Sequence, residues 1–441
     1  MSSSTGSQLS RRSVLRASAV FAGSGALLGL AQGCSSGSSG AGGKVTLNVQ
    51  GWVYDPTFDR DVAAAYNKAH PNVLPQTTFT EASEYIAKVT GLFTANAAPD
   101  IIFAHDNDIA GFAESGYIQP INDLPGMQQA LNGMITFDRE SLDYKGKTWG
   151  TPYYGDVMAF VYNTEMSKKA GIGATDIPQT WDDVAAHAIQ VKKAGILDHP
   201  FVFPMDNTSG RHWFAALHGS GGSMFDEKNN PVFPDQDPTA VKFLTFLVSA
   251  TKSGILDPAS LGMGTTTGKQ AFQAGKAAFM TDAHYDMKAI NDPTQSKVAG
   301  QCGQYLMPTL TSDGPHGTLG FSAAYCISSK TQYTNQAWNF AKYLGGLSAN
   351  RQLFLRDGQA PVFTSLQKDP QVLADLKKWC DPDLANQQTR LATRQEALDA
   401  PWFAEWQVFN QQQIQEAVLG KATPEAAMKA SADKARSLNN S

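Results

Sequence analysis

A chain of 441 residues exceeds what one ordinary hydrophobic core serves, so two globular lobes are expected. With 42% hydrophobic and 17% charged residues the composition is that of a soluble globular body, and the formal net charge of −5 comes without the basic patch that a nucleic-acid groove requires. No Lys/Arg-rich run follows the N-terminus, which argues against a polyanion partner.

Residues 1–34 read as a targeting segment and are set apart from the fold. The run Ser10-Arg11-Arg12-Ser13-Val14-Leu15-Arg16 has two adjacent arginines, a variable residue, an apolar pair and a final basic residue. It resembles the twin-arginine export signal, with Val14 and Arg16 standing where Phe and Lys are commoner. The apolar stretch Ala17 to Leu30 is diluted by Gly23, Gly25 and Gly29 and is too short for a spanning helix. It ends in Leu30-Ala31-Gln32-Gly33-Cys34, similar to a bacterial lipobox, which makes Cys34 the expected lipidation site. The alternative is a plain signal peptide cut nearby, with Cys34 incidental. Residues 35–43 are Ser, Gly and Ala only and form a flexible tether, reaching roughly 30 Å when extended.

The body opens with alternation over Lys44 to Trp52, a strand. Thr57 to His70 carries Phe58, Val62, Ala63, Ala65 and Tyr66 on one helical face, and Pro71 stops it. A strand over Val73 to Phe79, a helix over Ser83 to Asn96 and a short buried strand over Pro99 to Ala104 follow. This alternation marks an α/β domain with a mainly parallel sheet. Ligands of such sheets sit beyond the carboxyl ends of the strands, where Trp52, Thr80-Glu81 and His105-Asp106-Asn107 fall.

Further landmarks appear in order: Asn67-Lys68-Ala69-His70-Pro71-Asn72-Val73, Ala98-Pro99-Asp100-Ile101-Ile102, Ala113-Glu114-Ser115-Gly116-Tyr117-Ile118, and Tyr144-Lys145-Gly146-Lys147-Thr148-Trp149-Gly150-Thr151-Pro152-Tyr153. Then come Val161-Tyr162-Asn163, Pro178-Gln179-Thr180-Trp181-Asp182-Asp183, Phe272-Gln273-Ala274-Gly275-Lys276, Gln336-Ala337-Trp338-Asn339, and Gly420-Lys421-Ala422-Thr423-Pro424-Glu425. In this order and spacing, across nearly the whole body, the chain resembles the extracellular solute-binding protein family 1, which includes maltodextrin- and trehalose-binding receptors. The resemblance implies a two-lobe periplasmic-binding-protein fold, type II-like, with three interlobe crossovers and a ligand cleft between the lobes. Residues 44–154 and 319–358 would form the N-terminal lobe, and 155–318 and 359–437 the C-terminal lobe. The crossings are expected near Pro152–Met158, Gly317–Ala323 and Gly358–Val362, with Gly317, Gly320 and Gly358 as hinge positions. It further implies a monomeric lipoprotein of an ABC importer, on the extracytoplasmic face of the cell membrane. Such a protein captures a sugar by hinge closure and hands it to the transmembrane subunits of a permease, without a cofactor, a metal or catalysis.

A sugar site needs aromatic planes and a few oriented polar groups. At the strand ends Trp52, Tyr54, Asp55, Glu81, Asp106 and Asn107 are candidates; Trp52 alternatively caps the core, and Glu81 alternatively caps a helix. Tyr153, Tyr154 and Asp156 stand at the first crossing, and Gly320 and Phe321 at the second. Arg211 and Trp213 open a helix after a polar loop, where Trp213 is alternatively a core residue. Asp282 and Tyr285 follow a strand-like run, and Arg356 is a further candidate. Cys302 and Cys326 lie in apolar strand-like runs and are one possible disulfide; three free thiols with Cys380 are the other reading. A receptor for a glycerophosphodiester or a peptide, and a surface glycoside hydrolase with two carboxylates at a set separation, remain as alternatives. Neither a zinc-protease helix motif nor a phosphate loop occurs.

Overall fold

In the first strand, β1 (Val45–Trp52), Leu47 and Val49 are buried between exposed Thr46 and Asn48, which is the alternation that the sequence announces. The structure, a computed structural model, describes residues 43–53 and 55–440. The expected signal segment, nearly all of the tether, and Tyr54 lie outside the described residues. β1 pairs in parallel with β2 (Val73–Thr80) and β3 (Ile101–His105). The intervening helix Pro56–Ala69 begins at Pro56, and Asp55 caps it by accepting from the amides of Thr57 and Phe58. A second helix, Ala82–Thr94, leads to β3. These bounds differ by no more than two residues from those expected.

A hairpin of β4 (Asp143–Tyr144) and β5 (Lys147–Thr148) turns through Lys145 and Gly146, both at positive φ. It delivers the chain into β6 (Thr151–Asn163), thirteen residues that are buried except for half-buried Tyr162. The remaining strands are β7 (Phe201–Val202), β8 (Phe279–Ala283), β9 (Cys302–Tyr305), β10 (Thr318–Ile327) and β11 (Ala392–Arg394). Their spatial order is β2-β1-β3-β10-β6-β8-β7, with β11 against β10 and β9 against β6. The expected parallel pairing holds for β1–β3, β7–β8 and β10–β11. β10 is antiparallel to both β3 and β6, and β6 is antiparallel to β8 and β9. The reason is directional: one strand carries the chain from the first lobe to the second, and the other carries it back.

β6 is the longer of the two. Its first half, from Thr151 to Val157, pairs with β10, and its second half, from Met158 onward, pairs with β8 and β9. At roughly 3.3 Å per residue it spans about 40 Å, enough to run through both lobes. The third crossing follows the helix Leu347–Asp357, which Gly358 ends at φ +85°, a conformation that a side chain would strain. There the Gly155 amide donates to the Ala360 carbonyl at 3.3 Å.

Of the two readings of the cysteines, the free-thiol one holds, and no Cys302–Cys326 disulfide is formed: Cys302, Cys326 and Cys380 are all free thiols. Cys326 follows Tyr325, which lies opposite Thr151, whereas Cys302 lies opposite Asn163. The two sulfurs therefore belong to opposite ends of β6, far beyond the reach of a disulfide.

Asp59 is a buried carboxylate in the first lobe's core. Asp59 accepts from the hydroxyls of Tyr153 and Tyr325, each at 2.7 Å, and so ties the helix Pro56–Ala69 to β6 and β10. Burial pushes its carboxyl up to about 6, against the lowering effect of both tyrosines. Replacing Tyr325 with Phe is expected to destabilise the fold by about 2 kcal/mol, since a buried carboxyl loses one of two donors. Denaturant unfolding measures this.

Candidate ligand-binding site

β3 ends at His105, and the chain turns at once into a short 3-10 segment, Asp106–Asp108. The turn aims the buried Asp106 carboxylate between the lobes. Its Oδ1 accepts from the Asn107 amide at 2.9 Å, and its Oδ2 accepts from the Ser322 amide of β10 at 3.1 Å. From the helix Gly210–Gly219, Arg211 brings Nη2 to 3.5 Å from Asp106 Oδ1. That is longer than a strong charge-assisted hydrogen bond, so the pair is loose. The guanidinium lies 4.1 Å from the centroid of the Phe321 ring, a cation–π contact that fixes its plane.

Tyr154 and Asp156 stand two residues apart on β6, hence on one face of the strand. Tyr154 is buried with Arg211, Asp106 and Asp156 around it, and burial raises its phenol. Asp156 lies opposite Phe321 and accepts from the amides of Val157 at 2.7 Å and Tyr285 at 2.9 Å. Burial holds its carboxyl well above the usual range despite those two donors. Trp52, half-buried at the end of β1, stacks on Phe103 at 5.5 Å and meets His105 edge-on at 4.4 Å. A guanidinium on an aromatic face, a carboxylate opposite it, a phenol and an indole nearby supply donors, acceptors and apolar planes together. That is the chemistry a polyhydroxylated ligand requires.

The structure therefore brings Asp106, Tyr154, Asp156, Arg211, Tyr285 and Phe321 together, with exposed Asn107 and half-buried Trp52 beside them. Other expected site residues are committed elsewhere. Tyr153 points into the first lobe's core and gives its hydroxyl to Asp59. Trp213 is fully buried, with Nε1 at 3.1 Å from the Met224 sulfur and its ring against Phe243. Gly320 uses its backbone in the ladders to Val157 and Arg394. Asp55 caps a helix and pairs with Arg356 Nε at 2.6 Å, while Arg356 also reaches Asp61 at 3.3 Å, so both are held in a helix-end ion network. Glu81 is exposed and lines a separate flank groove of about 1020 Å³ with Asn48, Gln76 and Thr78. Asp282 is fully buried beside Asp286, which Lys269 holds at 2.5 Å. Among the described residues no group of three or more His, Cys, Asp or Glu is placed to hold a metal ion, and no helix is long and apolar enough to cross a membrane.

Sequence reasoning did not assign the Ser322 amide, although the Gly-Phe-Ser run at the second crossing marked the place. It also missed Lys269 and Asp286, whose pairing has no local spacing signal.

A sheet shared by two lobes, with a polar and aromatic cluster where its long strands cross, defines a two-lobe solute-binding protein. The chain belongs to the family described as bacterial extracellular solute-binding protein, whose model matches residues 61–378. It is 23% identical over 307 residues to the mannitol-binding protein of Pseudomonas aeruginosa, covering 68% of this chain and 69% of that one. It is 24% identical over 291 residues to the maltotriose-binding protein of Pyrococcus abyssi, covering 64% of this chain and 58% of the relative. The fold is similar to that of the GacH receptor of Streptomyces glaucescens, solved unliganded and with acarbose. The TM-score is 0.77 at 20% identity, over 90% of this chain and 99% of that one.

Trp213→Ala separates packing from binding. It is expected to cost about 3–5 kcal/mol in denaturant unfolding, as large-to-small changes in closed cores do.

Proposed function

We propose that the protein captures a carbohydrate, either a polyol or a short oligosaccharide, between its lobes and delivers it to the transmembrane subunits of an ABC permease. The observation that carries this reading is the loose Asp106–Arg211 pair, which joins elements of the two lobes over the Phe321 ring. A ligand hydroxyl inserted there donates to the carboxylate and accepts from the guanidinium, replacing one 3.5 Å contact with two short ones. Tyr154 and Trp52 supply further polar and apolar surface. Closure of the lobes about the 44–154/319–358 and 155–318/359–437 division then buries the ligand. The relatives' mannitol and maltotriose, and the neighbour's acarbose, are polyhydroxylated and support the same class. Asp106 disfavours an anionic ligand, since Arg211 would have to offset both a phosphate and that acid. In this reading the protein is exported, is anchored through lipid on Cys34, acts as a monomer and performs no hydrolysis.

Thermal unfolding of the mature chain against D-mannitol, maltose, maltotriose, a glycerophosphodiester and a tripeptide tests the class. A concentration-dependent rise in midpoint is expected with one or more of the three carbohydrates. A rise only with the phosphodiester or the peptide would keep the fold and overturn the ligand. For a carbohydrate that binds, Arg211→Ala is expected to weaken affinity by about 10- to 100-fold, from the loss of a charged hydrogen bond. Calorimetric titration reads this.

A further inference from the structure

All three crossing segments meet at one five-residue helix, Thr136–Glu140, which the proposed capture leaves unused. The Phe137 ring occupies the space where a side chain on Gly320 would lie, so it presses on the second crossing. The Asp138 carboxyl likewise occupies the space of a side chain on Gly155, at the first crossing. Just before the helix, the Ile135 amide donates to the Val362 carbonyl at 2.7 Å, at the third. Phe137 and Asp138 also line a cavity of about 30 Å³ with Gly155, Asp156, His284, Ala360 and Pro361, space for about one water molecule. Gly155 and Gly320 are therefore glycine because the wedge fills their side-chain positions. Any rotation of the lobes about the crossings must change what surrounds Phe137 and Asp138.

Asp138 is fully buried, and among the described residues neither of its oxygens has a partner at hydrogen-bond geometry. The Ser322 hydroxyl lies close enough to favour the ionised form, but it donates to the Tyr154 carbonyl at 3.3 Å. The charged groups facing Asp138 are Asp156 from β6 and Asp106 from the turn after β3, both of the same sign. His284 on the cavity wall is driven down to about 4 by burial and is neutral above that. The other cavity residues after the third crossing, among them Gln367, Asn386 and Thr389, carry no charge. Arg139 and Glu140, on the helix itself, pair with each other at its exposed surface. Arg394, on β11 packed against this helix, has a buried Nε without a hydrogen-bond partner and is not among the charges that act on Asp138. Among the described residues the charges acting on Asp138 are therefore both negative, and an uncompensated buried carboxylate is costly.

We propose that Asp138 is a positioning residue that couples lobe closure to a proton: the hinge closes on the neutral carboxyl and opens when that carboxyl ionises. The proposal rests on the reading that the lobes close on a ligand. In the structure burial raises the carboxyl well above its ordinary value of 3.8, and the proposal takes this packed arrangement as that of the closed hinge. Opening admits water and returns it toward that value. Closure is therefore at full strength below the ordinary carboxylate range. It weakens as pH rises toward the closed-hinge value, taking up one proton from solvent on each closing.

The test is small-angle scattering of the ligand-free mature chain at pH 5 and pH 8, for the wild type and Asp138→Asn, together with maltotriose titrations over the same range. The wild type is expected to have a larger radius of gyration at pH 8, and a maltotriose Kd that rises by up to about tenfold per pH unit. Asp138→Asn is expected to be compact and to bind equally at both. A wild-type radius that ignores pH, or an Asp138→Asn protein that follows pH as the wild type does, overturns the proposal. Absence of maltotriose binding at every pH would count against the capture reading, while the scattering would still decide the hinge. Gly155→Ala provides an independent arm should Asp138→Asn fail to fold. It is expected to open the hinge even at pH 5, and adding Asp138→Ala is expected to restore the compact form at both pH values. Failure of that restoration also overturns the proposal.

Discussion

Antiparallel pairing of β6 with β10 is the constraint on which the rest of this molecule depends. Both strands are buried almost throughout, and their ladder continues from the sheet of one lobe into that of the other. A register shift in the ladder beside Tyr153 interrupts the usual alternation, and the rings of Tyr153 and Tyr154 lie 5.5 Å apart, yet the two neighbours keep different company. Tyr153 joins Tyr325 in holding Asp59 within the first lobe, while Tyr154 and Asp156 stand with Arg211 and Phe321 where the lobes meet. The same ladder thus fixes the core and presents the site.

Electrostatics in the crossing region is one-sided. Asp106, Asp138 and Asp156 are buried near one another, and Arg211 acts on Asp106 and Asp156 but not on Asp138. The acids are accommodated differently. Asp106 and Asp156 accept backbone amides on both oxygens, although burial still holds the Asp156 carboxyl well above the usual range. Asp138 has no such amides and is left to the neutral form. This contrast separates groups arranged to meet a ligand from the one wedged beneath the hinge. Under the proposed reading hydroxyls are favoured over anions, because amides already engage the carboxylates and the Arg211 guanidinium is left to be shared.

Much of the architecture was legible in the sequence. The alternation of Lys44 to Trp52 and the apolar spacing of Thr57 to His70 gave elements whose positions held to within two residues, because one face of each meets water and the other the core. The place of Asp106 just past a buried strand was legible for the same reason, and the structure sets it beside Arg211 and the Ser322 amide. Trp213 was not. Its helix is buried on nearly every side, from Gly210 through Gly219 with only Arg211 half-exposed, so no polar face distinguishes core from cleft. Tyr153 and Tyr154 are indistinguishable in the sequence, because the register shift beside them and the long-range partners Asp59 and Tyr325 leave no local signal. The antiparallel crossings placed Cys302 and Cys326 at opposite strand ends, a long-range consequence that local apolarity does not carry. Asp138 carries no local signal in the sequence, and only the overlap with Gly155 reveals what it touches.

A crystal structure of the mature chain bound to whichever of D-mannitol, maltose or maltotriose raises its unfolding midpoint tests the central claim most directly. The account predicts the carbohydrate between the lobes, with one hydroxyl bridging Asp106 and Arg211 beside Phe321. A ligand seated instead in the flank groove near Glu81, with the Asp106–Arg211 pair undisturbed, would contradict it.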